Sequence, residues 1–359
     1  MSTGQCKAAS LIVSSFLLAI LPLAFCAGAA VAASAPQDKP IEMRMAHFQP
    51  EQRVLMVAIK WWADQVKERT NGRILIKHFF SEKLATATEI LPLVSRGGIE
   101  LGTPTITYHI SEFPLNNFLG DYPWPKMDEF VLWPRLIEEV PALAAEWKRN
   151  NVVPLSYGVV PPYGMILRKP VRNLDELKNF KVRVWGTNVP KKVSKLGMVP
   201  VSMSSAETYE GIDKGTVDSS LAPMDQHRAL GLWQVAKYHL KCDVLPVGGF
   251  AAAPVMNLDL FNRLDPELRK ILLDLQVDHL QKVKQLVGEA DAADEKFLKD
   301  KGVNILSLSE ADNKRFQQVA MEVWEQQAAD LSGRGLGAEV NAIKAGIEKL
   351  RAEYLKTRR

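Results

Sequence analysis

At 359 residues the chain exceeds what one hydrophobic core ordinarily organises, so two lobes are expected. Its formal net charge of +4 has both signs mixed along the chain, with no basic block to mark a nucleic-acid surface. The three cysteines rule out a disulfide scaffold: Cys6 and Cys26 fall in the leader, and Cys242 alone reads as a small buried hydrophobe.

The leader opens with Lys7, continues as the apolar run Leu11 to Phe25, and offers the small-x-small site Ala30-Val31-Ala32. That run is short for a membrane span, and bulky Phe25 spoils the lipoprotein-like Leu23-Ala24-Phe25-Cys26. Residues 1–33 therefore read as a cleaved signal peptide, leaving a periplasmic protein with no membrane anchor of its own.

The first strand is expected at Ile41 to His47. A helix follows, with Val54, Ala58, Trp61, Trp62 and Val66 at helical spacing, stopping at Thr70-Asn71-Gly72. Ile74 to Phe80 reads as a strand, Thr86-Ala87-Thr88-Glu89 as a capping box opening a helix, and Leu101 to Tyr108 as a third strand. This alternation predicts a doubly wound α/β lobe whose ligands sit beyond the carboxyl ends of its strands, near His47 to Gln49 and Thr105 to Tyr108.

Phe113 to Trp133 is rich in aromatics and proline and reads as a pocket wall or a core plug; Trp124, between Pro123 and Pro125, is its pocket candidate. Val152 to Val159 is another strand, with Pro161-Pro162 as a boundary. Beyond it, Tyr163 to Leu167 and Lys181 to Trp185 are strand-like runs flanking a capped turn at Asn173. Alternation puts Lys181, Arg183 and Trp185 on one face. A guanidinium beside an indole suits a carboxylate with an apolar body, and equally a rim salt bridge.

Ser204 to Glu207 forms a second capping box, Val217 to Leu221 a strand, and Ala251 to Leu258 a strand returning to the first lobe. After Asp265-Pro266 a helix runs to Lys301 on a stripe including Leu268, Leu272 and Val283, long enough to span both lobes. Gly288 could kink it. Ser309 to Leu331 and Gly337 to Leu355 are two further amphipathic helices.

In these residues the chain resembles the periplasmic solute-binding proteins of TRAP transporters, the DctP family. The likeness rests on Leu167-Arg168-Lys169-Pro170 through Lys181-Val182-Arg183, on Glu207-Thr208-Tyr209 through Thr216-Val217-Asp218, and on the long helix. It implies an α/β, two-lobed periplasmic-binding-protein fold with a hinge, a lobe-spanning helix and C-terminal helices. Lobe I would comprise 41–159 and 247–262, lobe II 160–246, and the spanning and C-terminal helices 263–359.

The resemblance also implies a receptor that closes on an organic anion and delivers it to the small and large membrane subunits of a sodium-driven permease. Arg183 stands where the family's arginine grips the carboxylate. Some members carry a second arginine where Tyr163 stands and an asparagine where Ala222 stands, so this pocket reads as less polar. An aromatic monocarboxylate is the leading expectation, ahead of aliphatic keto- or hydroxy-acids and C4-dicarboxylates.

Trp185, Tyr163 and Trp124 would cover the ligand body, with Tyr209 or Thr105 adding hydroxyls and Gln49 and His47 reaching from the opposite lobe. Arg168 reads as a second clamp or a structural salt bridge. A sensor role through a membrane receptor is the alternative to delivery. An enzyme is not expected: the six histidines lack zinc-ligand spacing, and no G-x-S-x-G elbow, P-loop or dinucleotide fingerprint occurs, leaving only the adjacency Asp225-Gln226-His227. No cofactor or metal is expected.

Overall fold

Alternation along Ile41–Ala46 buries Met43 and Met45 and leaves Arg44 outside, which makes this segment strand β1 of a sheet covered on its apolar side. The computed structural model describes residues 39–124, 132–157, 161, 163–242 and 254–356; the leader and Phe130 lie outside these. Helix α1 (Val54–Arg69) follows, then β2 (Ile74–Phe79), α2 (Ile90–Ser95) and β3 (Leu101–Gly102). Next come α3 (Pro114–Asp121), α4 (Trp133–Glu139), α5 (Pro141–Arg149) and β4 (Val152–Pro154).

The second run comprises β5 (Gly164–Leu167), β6 (Lys181–Val184), α6 (Asn188–Lys195), β7 (Val199–Ser202), α7 (Thr208–Asp213), β8 (Ser219–Ala222), α8 (Met224–Ala229) and β9 (Tyr238–Lys241). The chain then returns through β10 (Val255–Asn257), α9 (Leu258–Arg263), α10 (Pro266–Asp300), β11 (Asn304–Ser307), α11 (Glu310–Leu331) and α12 (Gly337–Lys356).

The strands form two sheets, β2-β1-β3-β10-β4 and β11-β9-β5-β8-β6-β7. In the first, β1, β2 and β3 run parallel while β10 is antiparallel to both β3 and β4. In the second, β6 is parallel to β7 and β8, and β5 is antiparallel to β8 and β9. The carboxyl ends of β6 and β8 and the amino end of β5 therefore share one edge. A side chain on Gly164 would put its Cβ 2.5 Å from both His239 Nε2 and the Leu240 carbonyl oxygen, so the close approach of β5 and β9 requires glycine.

Helix α10 is 35 residues long and passes Gly288 without a break. It packs on α1 beside the first sheet and on α8 beside the second. The second capping box closes both ways, Glu207 accepting from the Ser204 N–H at 2.7 Å and the Ser204 hydroxyl from the Glu207 N–H at 3.4 Å; at the first only the glutamate's half forms, Glu89 accepting from the Thr86 N–H at 2.9 Å and from its hydroxyl at 2.6 Å. Several strand expectations needed correction. Leu101 to Tyr108 is a strand only through Gly102, since Pro104 can donate no ladder bond, and Ile106–Tyr108 coils into a 3₁₀ turn. Of the expected returning strand, Val255–Asn257 pairs; β9, β11 and α3 were not anticipated. Among the described residues, no helix is long and apolar enough to cross a membrane.

Four buried histidines make stability depend on pH. Burial holds His47 and His279 near 3 and pushes His227 and His239 down for the same reason. The folded protein keeps them neutral, whereas the unfolded chain takes up protons below about 6.5. Stability should fall as pH drops from about 6.5 towards 4, by up to about 1.4 kcal/mol per pH unit for each histidine. Urea midpoints at neutral and mildly acidic pH test this; equal midpoints would mean the histidines charge freely in the folded state.

Candidate functional site

Arg183 lies on β6 between β7 and β8, flanked by buried Val182 and Val184 on the opposite face. Only 3% of it is exposed. Its Nε donates to the Met203 carbonyl at 3.1 Å, and its Nη2 to the Tyr108 hydroxyl at 3.4 Å. The guanidinium carbon stands 4.5 Å from the centre of the Trp185 ring. Strand alternation thus stacks cation on indole as expected. Among the described residues no carboxylate forms an ion pair with this buried guanidinium. The contrast is Arg53, whose buried charge meets Asp225 at 2.6 Å.

Tyr163 joins the group, its ring 5.8 Å from that of Trp185. Burial pushes its hydroxyl up to about 12, with Arg53 and Arg183 pulling the other way. It remains a neutral O–H donor at physiological pH. Beside this cluster lies a cavity of about 480 Å³, lined from the first-sheet side by Glu82, Thr86 and Tyr108 and from the second by Trp185, Ser202 and Ser204. An indole and several hydroxyls around such a volume, with the Arg183 guanidinium stacked on that indole, can take a small organic anion.

The structure scatters the remaining sequence candidates. Gln49 and Thr105 lie at the carboxyl ends of the first sheet, where the side-chain oxygens Gln49 Oε1 and Thr105 Oγ1 are buried with no protein partner among the described residues. His47 lies there too, but its Nε2 is 2.8 Å from His78 Nδ1 and its Nδ1 3.0 Å from the Thr103 hydroxyl. Trp124 packs against Tyr122 and Trp133 in the core of the first half and does not line the cavity. Tyr209 packs with Leu230 and Val235 in a separate apolar cluster. Arg168 is exposed beyond the far end of β5, its backbone N–H bonded to the Asp218 carbonyl, so the sheet holds it away from Tyr163. The Asp225–His227 adjacency brings no dyad together: His227 faces His239 and the Ala236 carbonyl.

Residues that periodicity did not single out bridge the two halves. Asp225, on α8, accepts from Arg53 just before α1, joining the two halves. On α6, Asn188 donates to Asp121 of α3 at 2.7 Å, with buried Lys192 Nζ 3.7 Å from the same carboxylate. Ser81 and Glu82 adopt φ of 57° and 58°, left-handed values that cost a side-chain-bearing residue about 1–2 kcal/mol each.

Residues 45–330 match the family DctP, described as bacterial extracellular solute-binding protein, family 7. The chain belongs to this family. It is a solute-binding receptor acting outside the cytoplasm, not an enzyme. The 2,3-diketo-L-gulonate-binding periplasmic protein of Escherichia coli K12 is 25% identical over 268 residues, covering 72% of this chain and 78% of that one. A solute-binding protein of Roseobacter denitrificans is 24% identical over 226 residues, which span 58% of this chain and 65% of the relative. The crystal structure of DctP7 of Bordetella pertussis, a receptor binding pyroglutamic acid, superposes with a TM-score of 0.75 at 20% identity, covering 86% of this chain and 99% of that one. This likeness shows the fold: the two-lobed α/β receptor architecture expected from sequence.

Proposed function

We propose that this DctP-family receptor captures an organic carboxylate in the periplasm and hands it to the two membrane subunits of a sodium-driven TRAP permease. The observation that carries the reading is the Arg183 guanidinium, buried, stacked on Trp185 and without a protein counter-ion among the described residues. A buried charge in that condition is costly unless an anion reaches it. A carboxylate can take two parallel donors from one guanidinium. The two relatives named for diketogulonate and pyroglutamate each take a carboxylate.

An aromatic monocarboxylate is the leading ligand, because Trp185 and Tyr163 present ring faces beside the charge. Closure would be a hinge motion of two lobes, with ligand contacts made from both. Native mass spectrometry of gently purified protein should find a retained acid. A thermal-shift panel of benzoate, orotate, 2-oxobutyrate, succinate and D-glucuronate then ranks the classes. A ligand present at a hundredfold its Kd adds about 2.7 kcal/mol of stability. Stabilisation by glucuronate alone, with benzoate and orotate inert, would reject the aromatic assignment.

A further inference from the structure

The wall facing Trp185 carries a charge of the opposite sign to Arg183. Glu82 lines the cavity from the loop after β2. Two bonds tie that loop to the end of β1: the Ser81 N–H donates to the Gln49 carbonyl and the Glu82 N–H to the His47 carbonyl, each at 3.1 Å. Both residues hold left-handed backbone that glycine would adopt freely. One carboxylate oxygen of Glu82, Oε1, accepts from the Ala87 N–H at 3.0 Å. Among the described residues, no lysine or arginine pairs with Glu82, and its other oxygen accepts no protein hydrogen bond. A strained, pinned backbone thus presents an acceptor-only group to the cavity. The neighbouring hydroxyls of Thr86, Ser202 and Ser204 can donate or accept and discriminate little.

We propose that Glu82 is a specificity-determining residue of this site, selecting organic acids whose body carries an N–H or O–H donor in addition to the carboxylate. The proposal rests on Arg183 as the carboxylate anchor and adds a second pole to the ligand. A body with only C–H groups against Glu82 would leave a desolvated carboxylate unmatched, and sites built around such a bond reject analogues that lack it.

Calorimetry with matched acids tests this: benzoate against 3- and 4-hydroxybenzoate, and cyclopentanecarboxylate against pyroglutamate. The expected result is at least a tenfold preference for the donor-bearing member of at least one pair (a ratio of order ten or more, as for other polar recognition sites). Glu82→Gly should erase that preference, weakening the donor-bearing acid and relieving the donor-free acid of the unmatched carboxylate, and its relieved backbone should raise the melting temperature. Glu82→Gln, which keeps an acceptor, should retain part of the preference. Acids that bind the wild type without preference, or a preference that survives in Glu82→Gly, would overturn the proposal and leave the Arg183 reading standing. Failure of every acid to bind removes both.

Discussion

Replacing Arg183 with alanine is expected to weaken carboxylate binding by about 2–5 kcal/mol, at least tenfold in affinity, with little change in fold. The loss is large because the bound acid would keep its desolvation cost and lose its counter-charge. Trp185 would remain and hold the apolar part of the ligand, so weak binding of a kind persists. Arg183→Lys should recover little, since an ammonium offers neither the planar fork nor the same stacking on the indole 4.5 Å away. Titration calorimetry with the acid identified by mass spectrometry decides the matter. An unaltered affinity in Arg183→Ala would end the carboxylate assignment.

The second large effect concerns the pair that joins the two halves. Asp225→Ala strands Arg53, which is 2% exposed, without its partner at 2.6 Å. Breaking one side of such a buried pair typically costs about 3–5 kcal/mol. Removing both charges together, as in Arg53→Met with Asp225→Leu, should restore much of that loss, because two desolvation penalties disappear with the attraction. Urea denaturation of the singles and the double gives the coupling. Single variants as stable as the double would show that the contact contributes nothing to holding the halves together.

The sequence disclosed those parts of the fold that obey local rules. Helix α10 follows from an uninterrupted apolar stripe, and the two caps from a hydroxyl residue and a glutamate three residues apart, the glutamate accepting the first residue's N–H. The stacking of Arg183 on Trp185 follows from the two-residue period of a strand. Elements that depend on partners remote in sequence were hidden. Strand β11 is only four residues long and exists by pairing with β9, from which α10 separates it. Trp124 showed the limit of composition, because an indole between prolines serves a core as readily as a pocket wall. Arg168 was a failure of strand direction: β5 runs antiparallel to β8, which sends its arginine to the far edge. Glu82 gave no signal, since no sequence pattern announces a left-handed glutamate.

Strand β10 carries a consequence for how the molecule is made. It lies between β3 and β4, yet it arrives only after β5 through β9 have been synthesised. Until residue 257 is available, β4 has no neighbour and β3 presents a raw edge. Such distant closure makes assembly slow and leaves unfinished chains sticky. The same order of arrival leaves the first sheet open until residue 257 has been made.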